Sequence, residues 1–403
     1  MTYSLTPMHL EPILSMAALA RTPDEKIPEL ITQIISRPGN ANLHMNQFQL
    51  FSIFGNQSFA LDMQALALQE RTIYRIAGTD TPLIRLLALM APGDATDNAP
   101  LDYLIEHTDI QLDLLYIIPG KPLPAAIPEH DVMMVAAGES SKNRAVLQVI
   151  DQLIECWPRP VLNPAKQILN CSRNGVYQQL KDLPGLIIPP TRRATRQALL
   201  ELSNAGASGD YPCTVRPLDS QAGNGLAKID SPAALAAYLA TSDAQEFYTS
   251  KFIDYRNQDG LYRKVRIALI DGAPYVSHLA ISDYWIVHYG SAQMDEHPER
   301  REEEAQFMRD FDAGFARRHQ NALRSVSERL KLDYVVIDCA ETMCGDLLIF
   351  EADNRGWVHA TDPVDLYLYK QATMQKLFAA FRAMLLSAMQ TSSISINGPA
   401  PAH

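Results

Sequence analysis

The chain has 403 residues, 47% of them hydrophobic and 20% charged, which is enough apolar material for two or three packed domains and excludes a disordered polymer. Its 46 acidic residues outnumber its 35 basic ones, giving a net charge of −11, which argues against an extended nucleic-acid surface because such a surface needs a basic face. The five cysteines, Cys156, Cys171, Cys213, Cys339 and Cys344, contain no CxxC pair and read as free thiols in a reducing compartment.

In chain order, the opening MTYSLTPMHLEPIL lacks a basic segment followed by a long apolar one. No apolar run approaches the ~18 residues of a membrane span. The expectation is a soluble, cytoplasmic protein with no membrane and no nucleic-acid partner. Residues 1–78 read as helical. MNQFQLFSIFGNQSFALDMQALALQERTIYRI has apolar residues at helical spacing and one break at Gly55-Asn56. This is similar to a single tetratricopeptide-like hairpin, with Gly55, Ala60, Ala65 and Ala67 as small packing residues. A helical cap, a homodimer surface or a platform for a protein partner are the roles such a region suggests.

Residues 79–162 change character. IRLLALMA, IQLDLLYII and DVMMVAA are short apolar runs between turns, and LDYLIEHT and NRAVLQVIDQLIECW have helical periodicity. The alternation implies an open, mostly parallel α/β sheet. No GxGxxG follows any of these strands, so no dinucleotide site is expected. Residues 163–390 read as α+β. Helices are expected at 165–181 and 195–204, strands in CTVRPLD, EFYTSKFIDY, KVRIALID and APYVSHLAI, and one amphipathic helix over 298–330 with RREEE on a solvated face. A hairpin and a terminal helix follow, and 391–403 is a polar tail.

The hairpin, DCAETMCGDLLIFEADNRG, poses the main question. Residues two apart on a strand share a face, so Glu351 and Asp353 point the same way. A turn centred on Cys344-Gly345 sets Asp338 opposite Glu351, and one on Gly345-Asp346 sets it opposite Asp353. Either register gathers three carboxylates on one face, with Glu341 on the other. Facing like charges repel. They are stabilised by cations, or the strand ends fray into water.

The order of the surrounding segments resembles the ATP-grasp superfamily, in its carboxylate–amine ligase branch. The resemblance spans about 160 to 355 and implies a helical N-terminal region, a preceding α/β domain and two α+β subdomains gripping ATP. It implies ATP and two Mg²⁺ ions (with Mn²⁺ as a substitute) held by Asp338, Glu351 and either Asp353 or Asn354. VRPLDSQAGNGLAKI is similar to the family's strand and phosphate-covering loop, with Ser220, Gly223 and Gly225 in the loop and Arg216 where the family has Lys. Gly at such positions lets backbone N–H groups approach phosphate oxygens. Arg173 stands near a second phosphate-contacting position, whose expected Lys is Gly175. Lys251, Phe252 and Ile253 resemble the hinge that grips adenine, and Arg266 resembles the arginine that contacts the transferred phosphoryl group. From the residues alone, Arg266 on an apolar strand requires an anionic partner. His278, His288 and His359 are candidate substrate contacts. The implied activity joins a carboxylate, of an amino acid or peptide, to an amine through an acyl-phosphate, releasing ADP and phosphate. Two alternatives stay open: a nucleotide-binding scaffold, which the substitutions of lysine suggest, and a phosphotransferase, a different use of the same fold.

Overall fold

A computed structural model of the protein describes residues 4–35, 39–205, 211–221 and 223–396. The N-terminal region is not wholly helical. It contributes strands β1 (Pro12–Ile13) and β2 (Ile73–Ile76) to a six-stranded sheet with β3 (Ile84–Met90), β4 (Ile110–Tyr116), β5 (Val132–Val135) and β6 (Val161–Leu162). The order is β1-β2-β4-β3-β5-β6. All neighbours run parallel except β2 and β4. TIYRI joined the helical reading because its apolar residues continue that of the preceding helix, but isoleucine and tyrosine favour a strand once β4 is beside them.

The helical hairpin is present. Ala41–Ile53 is capped by Asn40, whose side chain accepts from Leu43 N, and Gln57–Glu70 by Asn56, which accepts from Phe59 N. Gly55 links them with φ +82°, a left-handed conformation that suits glycine. Among the described residues it stacks on no further repeat. Met45, Phe48, Ala60 and Ala67 join Tyr74, Leu86, Leu112 and Tyr116 in one core, so the hairpin packs on the sheet, and Ala65 is exposed.

The rest of the chain adds β7 (Leu186–Ile187), β8 (Thr191–Thr195), β9 (Cys213–Pro217), β10 (Ala227–Ile229), β11 (Glu246–Lys251), β12 (Tyr262–Ile270), β13 (Ala273–Ser282), β14 (Tyr334–Glu341) and β15 (Leu347–Asp353). These form a four-stranded antiparallel sheet, β8-β11-β9-β10, and a five-stranded sheet, β13-β12-β14-β15-β7. Leu199, Leu235 and Leu239, from helices Arg196–Asn204 and Pro232–Ala240, cover the first through Val215 and Phe247. In the second, Val265, Ile267, Ile337 and Cys339 pack against Met308, Phe311, Phe315 and Val326.

Those last four residues come from the expected 298–330 helix, which is interrupted. It forms Pro298–Asp310, a wider π turn at Asp312–Ala316 and Gln320–Leu330. The bond from Ala316 N to Phe311 O (2.9 Å) spans five residues and leaves the Phe311 and Phe315 rings stacked, 6.0 Å apart, in the core. The final helix, Lys370–Ile396, runs into the segment read as a tail, and 397–403 lies outside the described residues. Among the described residues no helix is long and apolar enough to cross a membrane.

Candidate active site

The four- and five-stranded sheets enclose a cavity of about 660 Å³. This is within the usual range for small-molecule sites. Its floor is a row across four adjacent strands: His278, Arg266, Asp338 and Glu351 are successive ladder partners on β13, β12, β14 and β15. Asp338 faces Glu351 directly and Asp353 lies opposite Val336, although the pairs beside the turn are one residue off a Cys344-Gly345 centre, with Glu341 opposite Leu347. An irregularity between Asp338 and Cys339 then shifts the register towards the turn. The strand end does not fray, because Asp338 is only 2% exposed.

Basic side chains hold these carboxylates. Arg266 donates from Nε to Asp338 Oδ1 (2.7 Å) and from Nη2 to Oδ2 (2.9 Å), and its Nη1 reaches Trp357 O (3.0 Å). Lys264 Nζ donates to Asp338 Oδ2 at 2.9 Å. Burial opposes the charge on Asp338, but Arg266 and Lys264 outweigh it and hold the carboxyl well below the usual range. Arg173, the first residue of helix Arg173–Leu180, pairs with Glu351 Oε2 at 2.6 Å. Burial pushes the Glu351 pKa up, but Arg173 brings the net shift down. Arg355 holds Asp353 through Nη2 (2.8 Å) and its own backbone N–H (2.9 Å).

Asn354 is the one candidate metal ligand that turns away. It is fully buried, and its Nδ2 donates towards Ala136 O (3.4 Å) and Ala137 O (3.2 Å) after β5. Odd and even positions of a strand face opposite sides, so only Asp353 of the pair reaches the cavity. Among the described residues no three acid, His or Cys side chains form a ready-made metal centre. The donor chemistry nevertheless suits Mg²⁺, which takes one or two carboxylates and completes its shell with phosphate oxygens and water.

Arg216 lies on β9 opposite Tyr248, and 9% of it is exposed. Its Nε donates to Ser220 Oγ (3.0 Å), its Nη2 reaches Ser220 O, and among the described residues no carboxylate pairs with it. Burial and the nearby Arg173 pull its pKa down to about 9, the signature of a cation short of negative charge. Gly223, with φ +76°, lines the cavity. Gly225 instead backs onto its own strand, where a Cβ would meet Pro217 Cδ at 2.7 Å. Gly175, in place of an expected lysine, sits where a Cβ would be 2.4 Å from Asn170 O. Lys251, Phe252 and Ile253 also line the cavity, with Phe252 edge-on to Trp285.

His278, His288 and His359 all line the cavity. Burial, then Arg266 and Lys370, push His278 well below its ordinary pKa. His288 and His359 shift down too, mainly by burial. Arg300 and Arg301, at the start of the charged helix, secure this wall: Arg300 Nη1 donates to Ile281 O and Ala292 O, and Arg301 Nη1 to Met294 O and Asp295 O. RREEE is therefore not all solvated. Glu304 is fully buried and accepts from Leu279 N (3.0 Å), Tyr289 OH (3.0 Å) and Tyr369 OH (2.6 Å). Lys370 completes the network, 2.8 Å from Asp362 and over the Tyr289 ring at 4.0 Å.

Three participants escaped the sequence reading. Lys264 was detectable, being two residues from Arg266 on the same strand face. Arg355 and Lys370 carry no local signal, since their positions depend on contacts between distant segments.

No family model matches the chain. One curated relative, the formate-dependent phosphoribosylglycinamide formyltransferase of Leptothrix cholodnii, is 28% identical over 153 residues, which is 36% of this chain. The alignment spans about a third (35%) of that relative's length. Among solved structures, a RimK domain ATP-grasp protein from Sphaerobacter thermophilus aligns with 17% identity over 75% of this chain and 99% of its own, at a TM-score of 0.43. The VanG D-Ala:D-Ser ligase of Enterococcus faecalis aligns with 12% identity, the same coverage of both chains and a TM-score of 0.46.

Proposed function

We propose that the protein is an ATP-dependent ligase that joins a carboxylate to an amine through an acyl-phosphate, releasing ADP and phosphate. One observation carries this reading. A single cavity brings the 251–253 segment, Gly223, Arg216 and the Arg266–Asp338–Glu351 row together from two sheets. Six cationic and four carboxylate side chains line it, so it presents surplus positive charge to a polyphosphate.

In this reading adenine lies by Lys251, Phe252 and Ile253, and the phosphates lie under Gly223 between Arg216 and Arg266. A carboxylate oxygen attacks the terminal phosphorus, and the amine then attacks the acyl carbon. The enzyme's work in the first step is positioning and charge neutralisation. Arg266 and Lys264 transfer from Asp338, and Arg173 from Glu351, to phosphate oxygens as nucleotide enters, and Asp338 and Glu351 would then hold Mg²⁺ together with Asp353. The ion supplies further neutralisation of phosphate charge. The apolar cleft walls exclude water from the acyl-phosphate. Amino acids or peptides are the proposed acid and amine.

The test is ADP release across pairs of acids and amines, with mass spectrometry of the products. ADP that requires one acid and one amine, with a product lighter than their sum by one water, supports the ligase. A phosphorylated product would replace it with a phosphotransferase. A second reading, nucleotide binding without turnover, is favoured by one observation: all three carboxylates already have basic partners. ATP binding with no ADP under any pairing would establish it.

A further inference from the structure

Strand β13 is irregular where it passes the cleft. Arg266 on β12 lies opposite His278, and the next residue, Ile267, lies opposite Val276, so Ser277 is left without a ladder partner on β12. Such a bulge sets one extra residue into a strand and re-aims the side chains around it. Val276 and Leu279 belong to the core behind the sheet. Regular alternation from Val276 would turn His278 into that core as well. With the bulge, Ser277 and His278 both line the cavity, and His278 stands next to Arg266 in the floor row.

The ring nitrogens of His278 are unused. The residue is 9% exposed, and among the described residues it makes no hydrogen bond. Its ring lies 4.5 Å from that of Tyr289, whose hydroxyl donates to Glu304 and whose other face carries Lys370. His130 shows what a structural histidine does in this chain. It is fully buried, donates from Nδ1 to Pro128 O (2.7 Å) and accepts at Nε2 from Trp157 Nε1 (2.9 Å). A buried polar ring without such partners is costly unless a ligand supplies them.

We infer that His278 is a catalytic residue, the proton relay of the amide-forming step. The inference rests on the ligase reading above and adds the group that moves the amine's proton. The amine attacks as R–NH₂. Its lone pair forms the N–C bond at the acyl carbon, and the C–O bond to phosphate breaks with its electron pair on oxygen. One N–H proton passes to the neutral imidazole, and the imidazolium hands it to the departing phosphate. An acyl-phosphate dianion and an amine thus become an amide and HPO₄²⁻, with charge conserved. The position suits this, because Arg266, the ladder partner of His278, is the proposed holder of that phosphate. The charges that act on the ring are Arg266 and Lys264 of β12, Lys370 of the last helix and, beyond Arg266, Asp338 of β14. Burial, Arg266 and Lys370 keep the ring neutral and ready to accept. An arriving phosphate dianion offsets the cations and lets the ring hold a proton in transit.

The test separates the two chemical steps, with hydroxylamine as the amine and each of the twenty amino acids as the acid. Acyl-phosphate formation is followed by positional isotope exchange in ATP labelled with ¹⁸O at the β–γ bridge, and amide formation by hydroxamate. In His278→Ala the hydroxamate formed per exchange event should fall about 100-fold, within the range of a general base. Added imidazole should restore part of that loss. His278→Asn, which hydrogen-bonds but carries no proton between groups, should show the same fall. Thermal protection by ATP confirms that each variant is folded. A wild-type ratio in both variants overturns the assignment. So does a lowered ratio that imidazole leaves unchanged in His278→Ala, because a residue that only shapes the wall behaves that way. Exchange without hydroxamate in the wild type overturns the relay and leaves acyl-phosphate formation standing. Neither exchange nor hydroxamate with any acid removes the ligase reading itself.

Discussion

Replacing Asp338 by Asn tests whether the cleft floor is held by ion pairs. Asp338 accepts three charge-assisted hydrogen bonds, two from Arg266 and one from Lys264. Asparagine keeps one acceptor and turns an N–H₂ towards a cation. Removing one partner of a buried pair costs about 3–5 kcal/mol. Here the lower end applies, because the Arg266 and Lys264 side chains keep 16% and 13% exposure through the cleft, and Arg266 retains its bond to Trp357 O. A loss of about 3 kcal/mol lowers the melting midpoint by roughly 6–12 °C for a domain of 150–250 residues. Calorimetry on both proteins measures this, and a second pair of scans with pyrophosphate adds a sign. The two freed cations gain a phosphate partner, so the deficit should narrow on addition. Turnover should be lost. A midpoint within 2 °C of wild type, or a deficit that pyrophosphate leaves unchanged, would refute the reasoning.

Arg216→Met should weaken nucleotide binding about 10- to 100-fold, the equivalent of one charged hydrogen bond, with little change in melting; isothermal titration with ATP measures it. Gly138→Ala puts a Cβ 1.7 Å from Arg355 Cδ, which should lower stability by about 1–3 kcal/mol in urea titrations, and Arg355→Ala in the same chain should recover part of the loss. The buried, neutral His278 makes stability depend on pH. Its folded pKa lies well below the ordinary 6.5, so the unfolded chain binds the extra proton. Its contribution is whole above about pH 6.5 and is lost as pH falls, at a slope of about 1.4 kcal/mol per unit, until the folded pKa is reached. His278→Asn should flatten urea-derived stability between pH 6.5 and 5, and an unchanged slope would assign the dependence to other groups.

The carboxylate row was legible in part. Parity put Glu351 and Asp353 on one face, but the pairs beside the Gly345 turn, from Glu341 with Leu347 to Cys339 with Ile349, would by alternation set Asp338 opposite Phe350, and the irregularity between Asp338 and Cys339 is what brings it to Glu351. Arg266 was legible for a related reason, since a cation among apolar strand residues requires a partner, although its identity was not. The partner is Asp338, on a strand more than sixty residues away. Glu304 shows where such reasoning stops. In RREEE it is chemically equivalent to its neighbours, and only the arrival of Leu279 N, Tyr289, Tyr369 and Lys370 from other segments distinguishes it. Strand β2 failed likewise, because its fate was decided by pairing with β4 and not by its own pattern. Asn354 was a choice of two that parity could have settled, had the register been fixed first.

The basic side chains of the cleft share one arrangement, which links the fold to the proposed chemistry. Arg266 rests on Asp338, Arg173 on Glu351 and Arg355 on Asp353, and each is anchored in a different way. Arg266 is fixed by its strand register, Arg173 by a helix start capped by Ser172, and Arg355 by the space that Gly138 leaves open. Among the arginines described in the cleft, Arg216 is the one that rests on a neutral group, Ser220 of its own loop, so the surplus charge of its buried end is concentrated there. An arriving anion gains most at Arg216, because no carboxylate must be displaced. Engagement at Arg216 also draws the anion towards Arg173, whose exchange from Glu351 then leaves that carboxylate available. A forked guanidinium can keep one bond to Ser220 while turning another N–H to the ligand, which a lysine's single ammonium does less well. On this argument Arg216→Lys retains the charge yet should lose most of the affinity that arginine provides, and ATP titration of that variant beside Arg216→Met separates the fork from the charge.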